Sequence, residues 1–353
     1  MHQRAFVLCH VKREEPMYSK YDDPGKKFRE LVARKEGVFG FGVANAIDAL
    51  VASLAGVEAI YAGGWSIAGS KGRPDMGQVT MTEQRDQVRE IVRSTRLPII
   101  ADIDDGYGDA KNVLRTAAEF FGTLEYDFAT RTVRRLAGVH IEDQVLPKRC
   151  GHIAGKKLIP PAKMAGKIRA ACRARDDIYR NGIIVARTDA FNSKVPGSMA
   201  DAVNRSVRYA DAGADLLWCE FNQCDRALPE AFAKGVKRRH PNIPLAFNYS
   251  PSLPWIKTPP HERVRFADLN EMGYKFIFVT IAAFHASTKA VHDYAKRFCT
   301  AKEEALWEMQ GAKHGHPTAD HQALMRVNKW QEFEREFDSD AAADQARGEG
   351  FKK

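Results

Sequence analysis

Short apolar runs rich in β-branched residues recur along the chain, separated by stretches whose apolar positions repeat every three to four residues. The strand-like runs are 38–44, 58–64, 97–104, 136–143, 182–189, 214–221, 243–250 and 274–281. Between them the spacing predicts amphipathic helices over 45–55, 82–95, 109–122, 161–175, 198–212, 227–239 and 263–272. Three of these helices stop where "AGV" (55–57), "AGA" (212–214) and "MGY" (272–274) put a glycine just past the last periodic residue, the position that favours a left-handed backbone. Strands alternating with helices pair in parallel through right-handed crossovers, and eight repeats predict a closed (β/α)8 TIM-type barrel. A dinucleotide-binding sheet has little support, since no GxGxxG follows the first strand.

The barrel occupies 37–285, between an N-terminal extension (1–36) containing one helix and a C-terminal helical segment with a tail (286–353). The helical pattern continues to about 337, with an interruption at 311–317. Leu324, Val327, Trp330, Phe333 and Phe337 form an apolar stripe there, which needs the barrel's outside or a neighbouring subunit to cover it. The last dozen residues read as disordered.

Composition changes the picture in three respects. The apolar run Ala5 to Val11 is too short for a secretory signal, and no stretch approaches a membrane span. Six cysteines, at 9, 150, 172, 219, 224 and 299, form no CxxC pair and no regular spacing, so neither a zinc site nor a disulfide framework is indicated and a cytoplasmic location fits. All but Cys150 read as buried structural residues. The net charge of +9 suits small acidic substrates. The densest basic run, "KGVKRRH" (234–240), lies on an amphipathic helix without aromatic interleaving or any nucleic-acid-binding motif; it reads as a solvated face, with neither nucleic acid nor membrane as partner.

In such a barrel the C-terminal strand ends form the active face, and here nearly all of them are polar. Asp102 and Asp104 lie two apart on the third strand and Glu142 closes the fourth. Converging carboxylates repel unless neutralised, and a hard divalent ion resolves this with one or two direct ligands and several waters; pairing with Arg187 is the plainer alternative. Cys150 follows the fourth strand among Lys148, Arg149 and His152, neighbours expected to favour thiolate. Arg187 offers a planar fork for a carboxylate, Asn248, Ser250, Ser252 and Thr280 offer neutral donors, and Gly63 and Gly64 leave backbone amides open. Together these residues describe a pocket for a small polycarboxylate beside a metal.

"KRCGH" (148–152), "PIIADIDDGYG", "GVHIEDQ", "ARTDA", "DLLWCE", "NYSPSLPW" and "GYKFIFVTIAAFH" resemble, in order, segments of the isocitrate lyase and phosphoenolpyruvate mutase superfamily, and of isocitrate lyases in particular. The resemblance runs from about 36 to 290. It implies a lyase that cleaves isocitrate to glyoxylate and succinate with Mg²⁺, or Mn²⁺ in its place, usually as a homotetramer whose helices after the barrel are exchanged between subunits. By the same resemblance Asp102 is the direct metal ligand, with Asp75, Asp104 and Glu142 holding its waters. Cys150 is the general acid and Tyr61 a candidate base. His152, Glu220 and Arg187 surround the reacting carboxylates, with Gly151 beside them. Asn248, Ser250, Ser252 and Thr280 hold the succinate end, and Gly63, Gly64 and Trp65 the glyoxylate end. Two departures, Gly63 in place of a usual Ser and a loop one residue short with Ile141 in place of a common aromatic, weaken that match. The short loop and Ile141 resemble 2-methylisocitrate lyase, and both are expected to enlarge the pocket near the glyoxylate carbon.

Overall fold

The computed structural model describes residues 22–192 and 198–347. They fall into two compact units, one reaching to Phe284 and the other running from His285 together with Leu54–Gly56. Residues 1–21, which include the apolar run and Cys9, and residues 348–353 at the end of the tail lie outside the description.

Among the described residues of the first unit there are ten strands: β1 (Val38–Val43), β2 (Ala59–Ala62), β3 (Ile99–Asp102), β4 (Leu124–Asp127), β5 (Thr132–Arg135), β6 (Gly138–Glu142), β7 (Ile183–Thr188), β8 (Leu216–Cys219), β9 (Leu245–Asn248) and β10 (Tyr274–Val279). Eight of them, all but β4 and β5, pair in parallel and close into a barrel in the order β1-β10-β9-β8-β7-β6-β3-β2. Each barrel strand falls inside its predicted run, and the seven predicted helices all form.

Strand alternation sorts the side chains into two cores. Val139, Ile141, Ile184, Ala186, Leu217 and Cys219 pack outward against the helix layer. Tyr61, Ile100, Ile183, Val185, Trp218, Ala246, Phe276 and Phe278 fill the interior. The helix Pro24–Ala33 joins that inner cluster through Phe28, whose ring meets Phe276 edge-on at 5.0 Å.

Three features were not legible in the pattern. The antiparallel pair β4–β5 precedes β6; its alternation is hidden by charged residues that are themselves buried, Glu125 against the exposed Arg93 and Arg134 against Asp127. A helix at Gly64–Ser70 follows β2 and begins on the last residue of the predicted strand run, in a stretch given no helix from the sequence. The tail, read as disordered, forms a helix at Ala341–Arg347. In the second unit, Val327–Phe337 is one helix, and Trp330 and Phe337 are 60% and 80% exposed. No helix among the described residues is long and apolar enough to cross a membrane.

Candidate active site

The inward parity of each strand carries on past its end, and that parity assembles the site. On β7, Ile183 and Val185 point inward and Arg187 continues them; on β8, Leu216 and Trp218 lead to Glu220. Ile100 leads likewise to Asp102, Ala246 to Asn248, and Phe278 to Thr280. Register then makes neighbours of Asp102 and His140, and of Glu142 and Arg187. A cavity of about 470 Å³, counted with its open mouth, sits over these ends. Every residue given a site role from the sequence lines it except Ile141 and Asp104, the latter with its amide donating to Asp102 Oδ1 at 2.9 Å. Ser66, Lys148, Trp218 and Ile281 line it as well.

Lys148 is the largest omission from the sequence reading, where it counted only as a neighbour of the thiol. Its ammonium is buried 2.5 Å from Asp75 Oδ1 and 2.8 Å from Asp104 Oδ1. Burial works against that charge, but Asp104, Asp75, Glu142 and Asp102 outweigh it and hold the group well above the usual lysine range. Its position in "KRCGH" was the available signal.

The carboxylates differ sharply. Burial alone would raise Asp102, yet His140, Lys148 and the Asp104 amide hold it well below the ordinary range. Burial, with the charges of Asp102 and Asp75, pushes Asp104 up to about 7 in spite of Lys148. Burial drives Glu142 well above the usual value even though Arg187 lies 3.4 Å away. Glu142 Oε1 is buried with no hydrogen-bond partner. Among the described residues no three His, Cys, Asp or Glu side chains form a direct metal cage. The Asp102 carboxylate at the cavity, with Glu142 Oε1 unpaired in the same lining, fits an ion that keeps most of its waters, as Mg²⁺ does.

Cys150 corrects an expectation. Its basic neighbours were expected to favour thiolate, but burial and then the charge of Asp75 push the thiol up to about 11, outweighing Lys148 and Arg187. Gly151 lets its loop press against the guanidinium: a Cβ there would strike Arg187 and stand 2.8 Å from Glu220 Cγ.

On the opposite wall, His152 Nε2 lies 3.1 Å from Glu220 Oε1, which accepts from Asn248 Nδ2 at 3.0 Å, and Asn248 Oδ1 accepts from Thr280 Oγ1 at 3.2 Å. Glu220 Oε2 is buried with no hydrogen-bond partner. Arg187 is held by Asp189 through two hydrogen bonds of 2.9 and 3.1 Å. Burial opposes its charge, but Asp189, Glu142 and Glu220 keep it well above the usual value.

Tyr61 donates to Asp102 Oδ2 and lies beside His140 Nδ1, both at 3.2 Å. Burial and the Asp102 charge hold the phenol far above its usual value. A Cβ at Gly63 would stand 2.8 Å from Tyr61 Cε1, so this glycine leaves room for the ring. The Gly64 amide, expected to be open, is taken by Asp102 Oδ2 at 3.0 Å. Ile141 is the second correction: it is packed in the outer core, not in the cavity lining, and does not enlarge the pocket. Of the cysteines read as buried, Cys172 and Cys219 are, Cys224 is partly so, and Cys299 is exposed.

Residues 28–299 match the family described as phosphoenolpyruvate phosphomutase. The chain is 37% identical over 327 residues to the isocitrate lyase of Haloferax volcanii, an alignment covering 92% of this chain and 90% of that protein. It is 39% identical over 267 residues to the 2-methylisocitrate lyase of Aeropyrum pernix, covering 76% and 77%. Among solved structures, that of a 2,3-dimethylmalate lyase superposes with a TM-score of 0.70 at 27% identity, covering 94% of this chain and 98% of that one.

Proposed function

This chain belongs to the phosphoenolpyruvate mutase and isocitrate lyase superfamily, and from that premise we propose that it cleaves isocitrate to glyoxylate and succinate by a reverse aldol reaction. The observation that carries the reading is the placement of the Cys150 thiol in the same cavity as the Arg187 fork and the Asp102 carboxylate. A lyase of this kind needs a carboxylate holder, a group to take up the hydroxyl proton and an acid to quench the carbanion.

Arg187 and the His152–Glu220–Asn248–Thr280 chain hold the carboxylates, with Ser250 and Ser252 at the succinate end. Tyr61 acts as a relay: being a neutral phenol, it receives the hydroxyl proton as its own passes to His140 Nδ1, 3.2 Å away. The C–C bond then breaks, its electron pair moving into the enediolate form of succinate. The Cys150 thiol delivers its proton to that carbon and is left as thiolate. Lys148 and Arg187 offset the negative charge that develops in the cavity. Asp102 would hold a divalent ion, with Asp75, Asp104 and Glu142 on its waters. Bound there, the ion supplies Lewis-acid polarisation of the carbonyl oxygen formed on cleavage. The exposed apolar residues of 327–337 suit the homotetramer that the family resemblance implies.

Glyoxylate release, followed with a carbonyl trap, tests the reading: it should depend on Mg²⁺ and stop in EDTA. Asp102→Ala should weaken both activity and Mn²⁺ binding followed by electron paramagnetic resonance. The similarity to a 2-methylisocitrate lyase favours a second reading, with pyruvate in place of glyoxylate. One methyl group gives about 1 to 3 kcal/mol of discrimination in an apolar pocket, so isocitrate should be the better substrate by kcat/KM and 2-methylisocitrate a slower one. A preference for 2-methylisocitrate in parallel kinetics would reverse the assignment.

A further inference from the structure

Gln144 lies just beyond the end of β6, and its side chain is buried. Oε1 accepts from the Arg149 amide at 3.0 Å, while Nε2 donates to the Arg149 carbonyl at 2.9 Å and to Asp189 Oδ2 at 3.2 Å. Both amide hydrogens and the amide oxygen are therefore engaged. Two of the three bonds fall on the backbone of one residue, as a neighbouring strand's would, and that residue directly precedes Cys150. The third falls on Asp189, whose two oxygens orient Arg187.

The base of the loop is closed beside the same residue. Gln144 bridges to Leu158, and the Val145 amide donates to the Lys157 carbonyl at 2.8 Å. Side chains grip the tip: Gln144 holds Arg149, and Lys156 holds the carbonyls of Gly151 at 2.6 Å and Ile153 at 2.8 Å. Gln144 thus joins the loop that carries the thiol to the carboxylate that aims the guanidinium.

We propose that Gln144 is a positioning residue, setting the separation of the Cys150 thiol from the Arg187 guanidinium by tying the thiol's loop to Arg187's own carboxylate partner. This deepens the reading of Cys150 as proton donor and of Arg187 as carboxylate holder, and rests on it. The tie itself is measurable without turnover. Gln144→Met keeps the volume and removes all three hydrogen bonds. Gln144→Glu keeps one acceptor but sets a second carboxylate against Asp189, which repels it.

The test is iodoacetamide labelling of Cys150 in the full chain, read by mass spectrometry of its peptide and accompanied by thermal melts. Both variants should label roughly tenfold faster than wild type or more, as expected when buried polar groups lose their partners, and Gln144→Glu should be the faster. In steady-state kinetics Gln144→Met should lower kcat at least tenfold and leave KM within about twofold, because Arg187 keeps both bonds to Asp189. Labelling within twofold of wild type in whichever variant folds would overturn the proposal, as would a loss carried by KM alone. Faster labelling in the variants of a wild type that cleaves neither isocitrate nor 2-methylisocitrate would uphold the tie and remove only the lyase reading.

Discussion

Cys150 is where counting charges along the chain and measuring burial disagree. Lysine and arginine neighbours in sequence promise a thiolate, but a partly buried thiol pays for ionisation in lost solvation, and the charge of Asp75 adds to the cost. The sign has a measurable consequence. A thiol pushed up to about 11 is almost wholly protonated near pH 7, and its thiolate fraction rises about tenfold per pH unit up to that range. Alkylation of the Cys150 peptide should therefore keep accelerating through pH 10, whereas levelling off near the ordinary thiol value of about 8.5 would contradict the buried environment. Its protonated form also suits it to donate. Cys150→Ser, with a hydroxyl too weakly acidic to do so, should lower kcat by roughly 10² to 10⁴ and leave Mn²⁺ binding and the melting temperature near wild type. Near-normal turnover in that variant would take Cys150 out of the mechanism.

At the scale of the elements, one rule explains both the successes and one failure of the sequence reading. The alternation along β6 sends His140 into the barrel interior beside Trp218, Glu142 to the cavity and Ile141 into the outer core beside Val139. A residue next to two site residues in sequence is thus on the wrong side of the sheet to touch substrate. Ile141→Phe should accordingly overpack the layer facing the helix Ala110–Phe121, at a cost of about 1 to 3 kcal/mol. Thermal melting should show that loss, while the ratio of kcat/KM for isocitrate and 2-methylisocitrate stays at the wild-type value; a changed ratio would put Ile141 back at the pocket. The β4–β5 pair escaped notice for another reason: four-residue strands give period two little to act on, and buried ion pairs such as Arg134 with Asp127 disguise which face is inside.

For the whole molecule, the exposed apolar residues of the last helices bear on assembly. Light scattering should give four chain masses, and Trp330→Asp with Phe337→Asp should shift the species toward smaller ones; a monomeric wild type would remove the homotetramer proposal. The sequence by itself determined the barrel, because eight repeats of period-two and period-3.6 patterning admit few other closures, and strand ends are where polar residues interrupt apolar runs. Sixteen of the candidate residues line one cavity: strand parity and the barrel's polarity carry those at the strand ends to one face, while others, Asp75 and Gly151 among them, came from the family resemblance. What only the tertiary structure decided was protonation and partnership. Lys148 inserts between Asp75 and Asp104, residues 73 and 44 positions away; Asp102 takes the Gly64 amide; Gln144 joins two loops. Each depends on distances between segments far apart in the chain and on how much water is excluded between them, and Coulomb interactions and desolvation are set by those distances and not by order along the sequence.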